Sequence, residues 1–139
     1  MEKIIDILNI VDSISRIYNK TKKEINKKLI YEGLSISKMK ILKLINNKKI
    51  SATDIKNYMG FSSRTIVTVL DSLERDGLLN RKQSNQDRRI KYVCITDKGI
   101  VKLKIAEEKN KSILNELFSS FSNNELEKFS EICSYIEKK

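Results

Sequence analysis

Histidine is missing from all 139 residues of the chain, and so are proline and tryptophan. Without an imidazole, Ser–His–Asp triads, histidine-ligated metals and histidine acid/base catalysis are excluded. Cysteine is scarce: Cys94 and Cys133 stand far apart, with no second thiol beside either. That spacing is neither a disulfide framework nor a metal-ligand pair. Each is read as a small buried hydrophobe, with an oxidant-sensing thiol as the rival reading. No metal and no cofactor are expected. No apolar run approaches the ~20 residues that a membrane-spanning helix needs. The opening MEKIIDILNIVD interleaves acids with its apolar residues, unlike a signal peptide. A cytoplasmic protein with no membrane partner is therefore expected. Asp and Glu fall largely on exposed helix positions without an evident partner, so an enzyme is not expected either.

What is present describes a folding chain. Hydrophobic residues make up 40% and charged residues 33%, a balance that suits one globular domain with a modest core. The formal charge is +10, unevenly spread: residues 1–50 carry a net +7, residues 51–99 a net +3, and residues 100–139 none. A basic surface attracts polyanions such as nucleic acid. The competing reading is a chain merely rich in Lys, Asn and Ile. There are only four glycines, Gly33, Gly60, Gly77 and Gly99, and each is read as a junction between elements.

Before Gly33, the series Ile4, Leu8, Val11 and Ile7, Ile10, Ile14, Ile17 predict a helix near 25 residues with two apolar faces. One face suits its own domain and the other a second subunit. Ser35 then caps a helix, with Leu34 and Met39 as a hydrophobic staple. Ser51 caps a short helix that ends at Gly60. Ser62 caps another, closed by Gly77, in which Ile66, Val69, Leu70 and Leu73 share one face. Two short helices about a tight turn make a helix-turn-helix. The alternating IKYVCI reads as a strand, NRKQ as its antiparallel partner, and SNQDRR between them as a charged hairpin tip. Thr96 opens a long helix through Phe121, and Ser122 with Glu125 makes a capping box for a last helix. A helix-turn-helix followed at once by a charged hairpin is a winged helix. The expected fold is mostly α with a small β-wing: a winged helix-turn-helix over 34–98, with dimerisation helices at 1–32 and 100–139.

The stretch LDSLERDGLLNRKQSNQDRRIKYVCITDKG resembles the MarR family of bacterial transcription regulators. Leu73, Glu74, Gly77, Leu78 and Arg81 match its Leu-Glu-x-x-Gly-Leu-x-x-Arg; Asp87 and Arg89 match the Asp-x-Arg of the wing; Ile95, Thr96 and Gly99 match Leu-Thr-x-x-Gly with Ile for Leu. The resemblance implies a homodimer joined by its chain ends. It also implies a pseudo-palindromic double-stranded DNA operator, repression, and in many members release by a small phenolic-type effector. Any effector pocket is expected near Tyr18, Tyr31 and the first and fifth helices. Some members sense oxidants through a cysteine near the N-terminus; the first helix here has none, so that mechanism does not carry over.

Within this frame Ser62, Ser63, Arg64, Thr65 and Thr68 are the expected DNA contacts of the recognition helix. Arg64 is the base reader, because its fork bonds guanine O6 and N7 together. Val67 is placed to touch a thymine methyl, although an exposed valine alone is unremarkable. Arg88 and Arg89 belong to the wing, Arg89 entering the minor groove, and Asp87 braces it by pairing with an arginine. Arg81 and Lys82 serve the DNA backbone or brace the wing. Lys56 replaces a residue that is small in many members and adds a phosphate contact; Lys38 and Lys40 are weaker phosphate candidates. The rival function is a winged helix that binds protein or ligand, with little specific DNA binding.

Overall fold

The computed structural model describes the backbone of residues 2–139 and the side chains of residues 6–139; the expectation for Ile4 lies outside the described side chains. Helix α1 spans Glu2–Leu29 and runs into a single 3-10 turn, Ile30–Glu32. Its last turns, through Ile25 and Leu29, enter the core, while Ile7, Leu8, Ile10, Val11, Ile14 and Ile17 are 46–60% exposed. The helix therefore packs by its C-terminal end rather than along one face of its length. Glu32 anchors that end. Its carboxylate accepts from Lys102 Nζ at 3.0 Å and Lys109 Nζ at 2.9 Å. Those two ammonium groups, Lys109 first, hold the Glu32 carboxyl below the usual glutamate range.

Helix α2 is Ile36–Asn46, with Ser35 Oγ accepting from the Lys38 N–H, and it buries Met39, Ile41, Leu42 and Ile45. A two-residue strand, β1 (Ile50–Ser51), precedes α3 (Ala52–Met59). Helix α4 spans Ser63–Arg75 and turns Ile66, Leu70 and Leu73 inward. Strands β2 (Leu79–Gln83) and β3 (Lys91–Ile95) form the hairpin, paired from Leu79↔Ile95 to Gln83↔Lys91. The sheet order is β1-β3-β2, entirely antiparallel. The strand β1 has no counterpart among the sequence expectations, since two residues carry no periodicity.

Helix α5 runs Asp97–Leu117 and α6 runs Asn123–Glu137. Thus α5 stops four residues short of the expected Phe121. The chain turns over Phe118–Phe121, because Ser122 must leave helical geometry to cap α6 through the Glu125 N–H. The expected capping box is formed, with Glu125 Oε1 accepting from the Ser122 N–H at 3.0 Å. No described residue of α6 is buried.

One junction fixes the wing to the rest. Thr96 Oγ1 donates to the Gly77 carbonyl at 2.6 Å and accepts from the Gly99 N–H at 3.0 Å. The first turn of α5 thereby lies directly on the backbone after α4. A Cβ at Gly99 would overlap the Leu78 carbonyl oxygen.

Candidate nucleic-acid interface

Helices α3 and α4 meet at Gly60, which takes φ +69°, a left-handed conformation that a side chain disfavours. The Phe61 N–H reaches back to the Lys56 carbonyl at 3.0 Å, closing α3. Ser62 then caps α4: its Oγ accepts from the Thr65 N–H at 3.1 Å and donates to Thr65 Oγ1 at 2.9 Å. Lys56 Nζ donates to Ser63 Oγ at 3.1 Å. Ser62, Ser63, Arg64 and Thr65 are all exposed, so hydroxyls, a guanidinium and an ammonium gather where α4 also has unpaired backbone N–H groups. Such a helix start favours a phosphate oxygen. Thr68, one turn on, is exposed, and its Oγ1 donates to the Arg64 carbonyl at 3.0 Å.

The hairpin tip is ordered by its own side chains. Ser84 Oγ accepts from the N–H groups of Gln86 and Asp87, at 3.2 and 3.3 Å. Gln83 Nε2 donates to the Arg88 carbonyl at 2.6 Å. Asp87 receives Arg89 three times: its backbone N–H at 3.0 Å, Nε at 3.1 Å and Nη2 at 3.1 Å. Those hydrogen bonds, the side-chain ones first, hold the Asp87 carboxyl below its usual range. The Arg89 side chain is still 91% exposed, so the pair aims the guanidinium without covering it. Arg88 and Lys82 are exposed as well, Lys82 standing opposite Tyr92 in the sheet. At the root of the wing, the Lys49 ammonium lies 4.4 Å from the centroid of the Tyr92 ring.

Arg81 differs from the other wing cations. Its Nη2 donates to Glu74 Oε1 at 2.8 Å and to Asp71, and its backbone N–H donates to Glu74 Oε2 at 3.0 Å. Glu74 first, and Asp71 with it, raise the arginine's pKa; Arg81 in turn lowers that of Glu74. Of the two roles expected for Arg81, the geometry is that of a brace. The guanidinium is committed to two carboxylates of α4. Lys38 is similarly engaged, donating to Ser72 Oγ at 2.9 Å and tying α2 to α4. Sequence reasoning missed Asp71 and Ser72 as partners, because neither pairing follows from helical spacing.

An apolar cavity of about 750 Å³ lies between α1, the end of α5 and α6. Ile17, Leu117, Phe118, Phe121, Phe129 and Ile132 line it, together with Lys20 and Thr21. Ile17 and Leu117 put it at the first and fifth helices, while Tyr18 and Tyr31 do not line it and are both exposed. Cys94, on β3, and Cys133, on α6, are free thiols and partly buried.

Comparison with known proteins assigns this arrangement. The MarR family model matches residues 34–91. The chain is 31% identical over 120 residues to the HTH-type transcriptional regulator MhqR of Bacillus subtilis, covering 86% of this chain and 83% of that one. It is 29% identical over 100 residues to the HTH-type transcriptional repressor YetL of Bacillus subtilis, a match over 70% of this chain and 60% of that protein. The crystal structure of the transcriptional regulator BldR from Sulfolobus solfataricus superposes with a TM-score of 0.78 at 33% identity, over 97% of this chain and 99% of BldR.

Proposed function

The chain belongs to the MarR family and is a DNA-binding transcriptional regulator, and from that premise we propose that it works as a homodimeric repressor of a pseudo-palindromic operator. The observation that carries the reading is the pairing of two exposed cationic elements on one braced frame. The start of α4 gathers Ser62, Ser63, Arg64, Thr65 and Lys56, and the wing tip holds Arg89 clear of the protein surface. Glu74 and Arg81 join the two elements. In the major groove Arg64 reads base edges while the serine hydroxyls and N–H groups hold phosphates. In the adjacent minor groove the wing arginine meets the stronger negative potential of narrow A·T-rich segments. A dimer places two such sets about one helical turn apart, and a protein seated over a promoter blocks transcription, in line with the name of YetL.

The apolar surface of α1 and α6 supports the homodimer, and the cavity between them supports a small, largely apolar effector whose binding shifts the two DNA-binding halves. The test is an electrophoretic shift with genomic fragments at near-physiological salt. A small set of fragments retained against excess non-specific DNA is the expected result. Uniform weak binding to every fragment instead selects the rival, a winged helix that serves protein or ligand.

A further inference from the structure

The outward face of α4 carries an apolar step that phosphate binding does not explain. Ile66, Leu70 and Leu73 define the inward direction, so Arg64, Thr68, Asp71 and Arg75 lie opposite, with Val67 on the flank shared with Asp71 and Glu74. Asp71 is neutralised by Arg81 and Arg75 lies 3.7 Å from Asp76. Between Arg64 and those pairs stand two side chains that carry methyl groups. Val67 is 53% exposed. Thr68 has committed the only proton of its hydroxyl to the Arg64 carbonyl at 3.0 Å, which leaves it no donor for a base edge. Val67 and Thr68, both exposed, thus bring methyl-bearing side chains to adjoining positions on α4, Thr68 one helical turn beyond Arg64. A lone exposed valine is ordinary on a protein surface; one set beside a threonine whose hydroxyl has no proton left to donate is a second methyl-bearing side chain at the same level of the helix.

The major groove offers one apolar feature, the C5-methyl of thymine. Resting on the DNA-binding reading above, we infer that Val67 and the Thr68 methyl are specificity residues that select thymine, about one to two base pairs from the base that Arg64 contacts. The half-site is thus defined by a methyl contact beside a hydrogen-bonded one.

The experiment enriches duplexes from a random library with the full chain. It then replaces each thymine of the enriched sequence, in turn, by deoxyuridine, which removes the methyl and nothing else. One thymine per half-site should lose about fourfold in affinity on replacement, and about fifteenfold when both half-sites are changed. Val67→Ala should lower the thymine-to-uracil ratio toward one. Thr68→Val, which keeps a methyl and removes the hydroxyl, should keep the parent's thymine-to-uracil ratio. Thr68→Ser, which keeps the hydroxyl, should weaken the thymine duplex and leave the uracil duplex unchanged. Both positions are exposed, and thermal melts of each variant check that folding is intact. Enrichment of a sequence indifferent to uracil, or loss of that ratio with Thr68→Val and not with Thr68→Ser, overturns this inference and leaves the DNA-binding reading standing. Failure to enrich any sequence overturns both.

Discussion

Arg81 and Arg89 belong to one hairpin yet meet different electrostatic surroundings. Among the described residues Arg89 pairs only with Asp87, and it is almost fully exposed, where an ion pair contributes little to stability. Arg81 is held by two carboxylates and is mostly covered. The two alanine variants should therefore separate. Arg89→Ala is expected to leave the urea midpoint unchanged while weakening operator binding and lowering the salt slope by about one per half-site. Arg81→Ala is expected to cost about 1–2 kcal/mol of stability, since it leaves Glu74 without its charged partner, and to leave the salt slope unchanged. Denaturation and fluorescence-anisotropy titrations across salt read both quantities. A lowered slope in Arg81→Ala would return that residue to the DNA interface. Acid should act through the same clamp. Glu74 and Glu32 have lowered pKa values in the folded chain, so the stability they contribute is complete above the ordinary glutamate range. It is lost as the pH falls through that range and on through the lowered values. A urea midpoint measured downward from about pH 7 should fall there, and less steeply in Glu74→Gln.

Helices and wing are assembled at a joint that three neighbouring segments share. Thr96 bonds Gly77 on one side and Gly99 on the other, and Gly99 lies against the Leu78 carbonyl. Gly99→Ala must push α5 off that backbone, at a cost of about 1–3 kcal/mol; an unchanged midpoint in urea would mean the contact yields more easily than its geometry indicates. This joint also shows what a sequence conveys and what it does not. The helix starts were legible because each cap is a local bond: Ser35, Ser51, Ser62, Thr96 and Ser122 each accept from an N–H three residues on. The hairpin was legible because alternation and a polar tip are local too. The end of α5 was not, as neither glycine nor proline marks the turn over Phe118–Phe121. Strand β1 exists only through its pairing with β3, more than forty residues away. At the candidate interface the exposed residues of α4 could be named from helical spacing. The clamp of Arg81 by Asp71 and the bond of Lys38 to Ser72 could not, for they depend on how elements are set against one another.

The whole molecule has more apolar surface at its two ends than one chain can shelter. Ile7, Leu8, Ile10, Val11, Ile14 and Ile17 on α1 are half exposed, and so are Phe121, Phe129 and Ile132 around α6. Continuous apolar surface of this kind marks an association site in a soluble protein, and a second copy supplies matching helices through a two-fold axis. Residues 100–139 are neutral overall, so α6 brings no net charge against contact between like chains. Two copies are also what a tight operator complex needs. Linking two half-site contacts raises affinity by about a hundredfold or more over either alone. Ile14→Asp combined with Phe129→Asp places carboxylates on this surface without touching the buried core of the single chain. The expected result is a folded monomer by sedimentation and circular dichroism, with operator affinity down at least about a hundredfold, although Arg64 and Arg89 are untouched. Should the variant still sediment as a pair, or bind the full operator as a monomer with parental affinity, the chain ends are not what brings two recognition helices to one duplex.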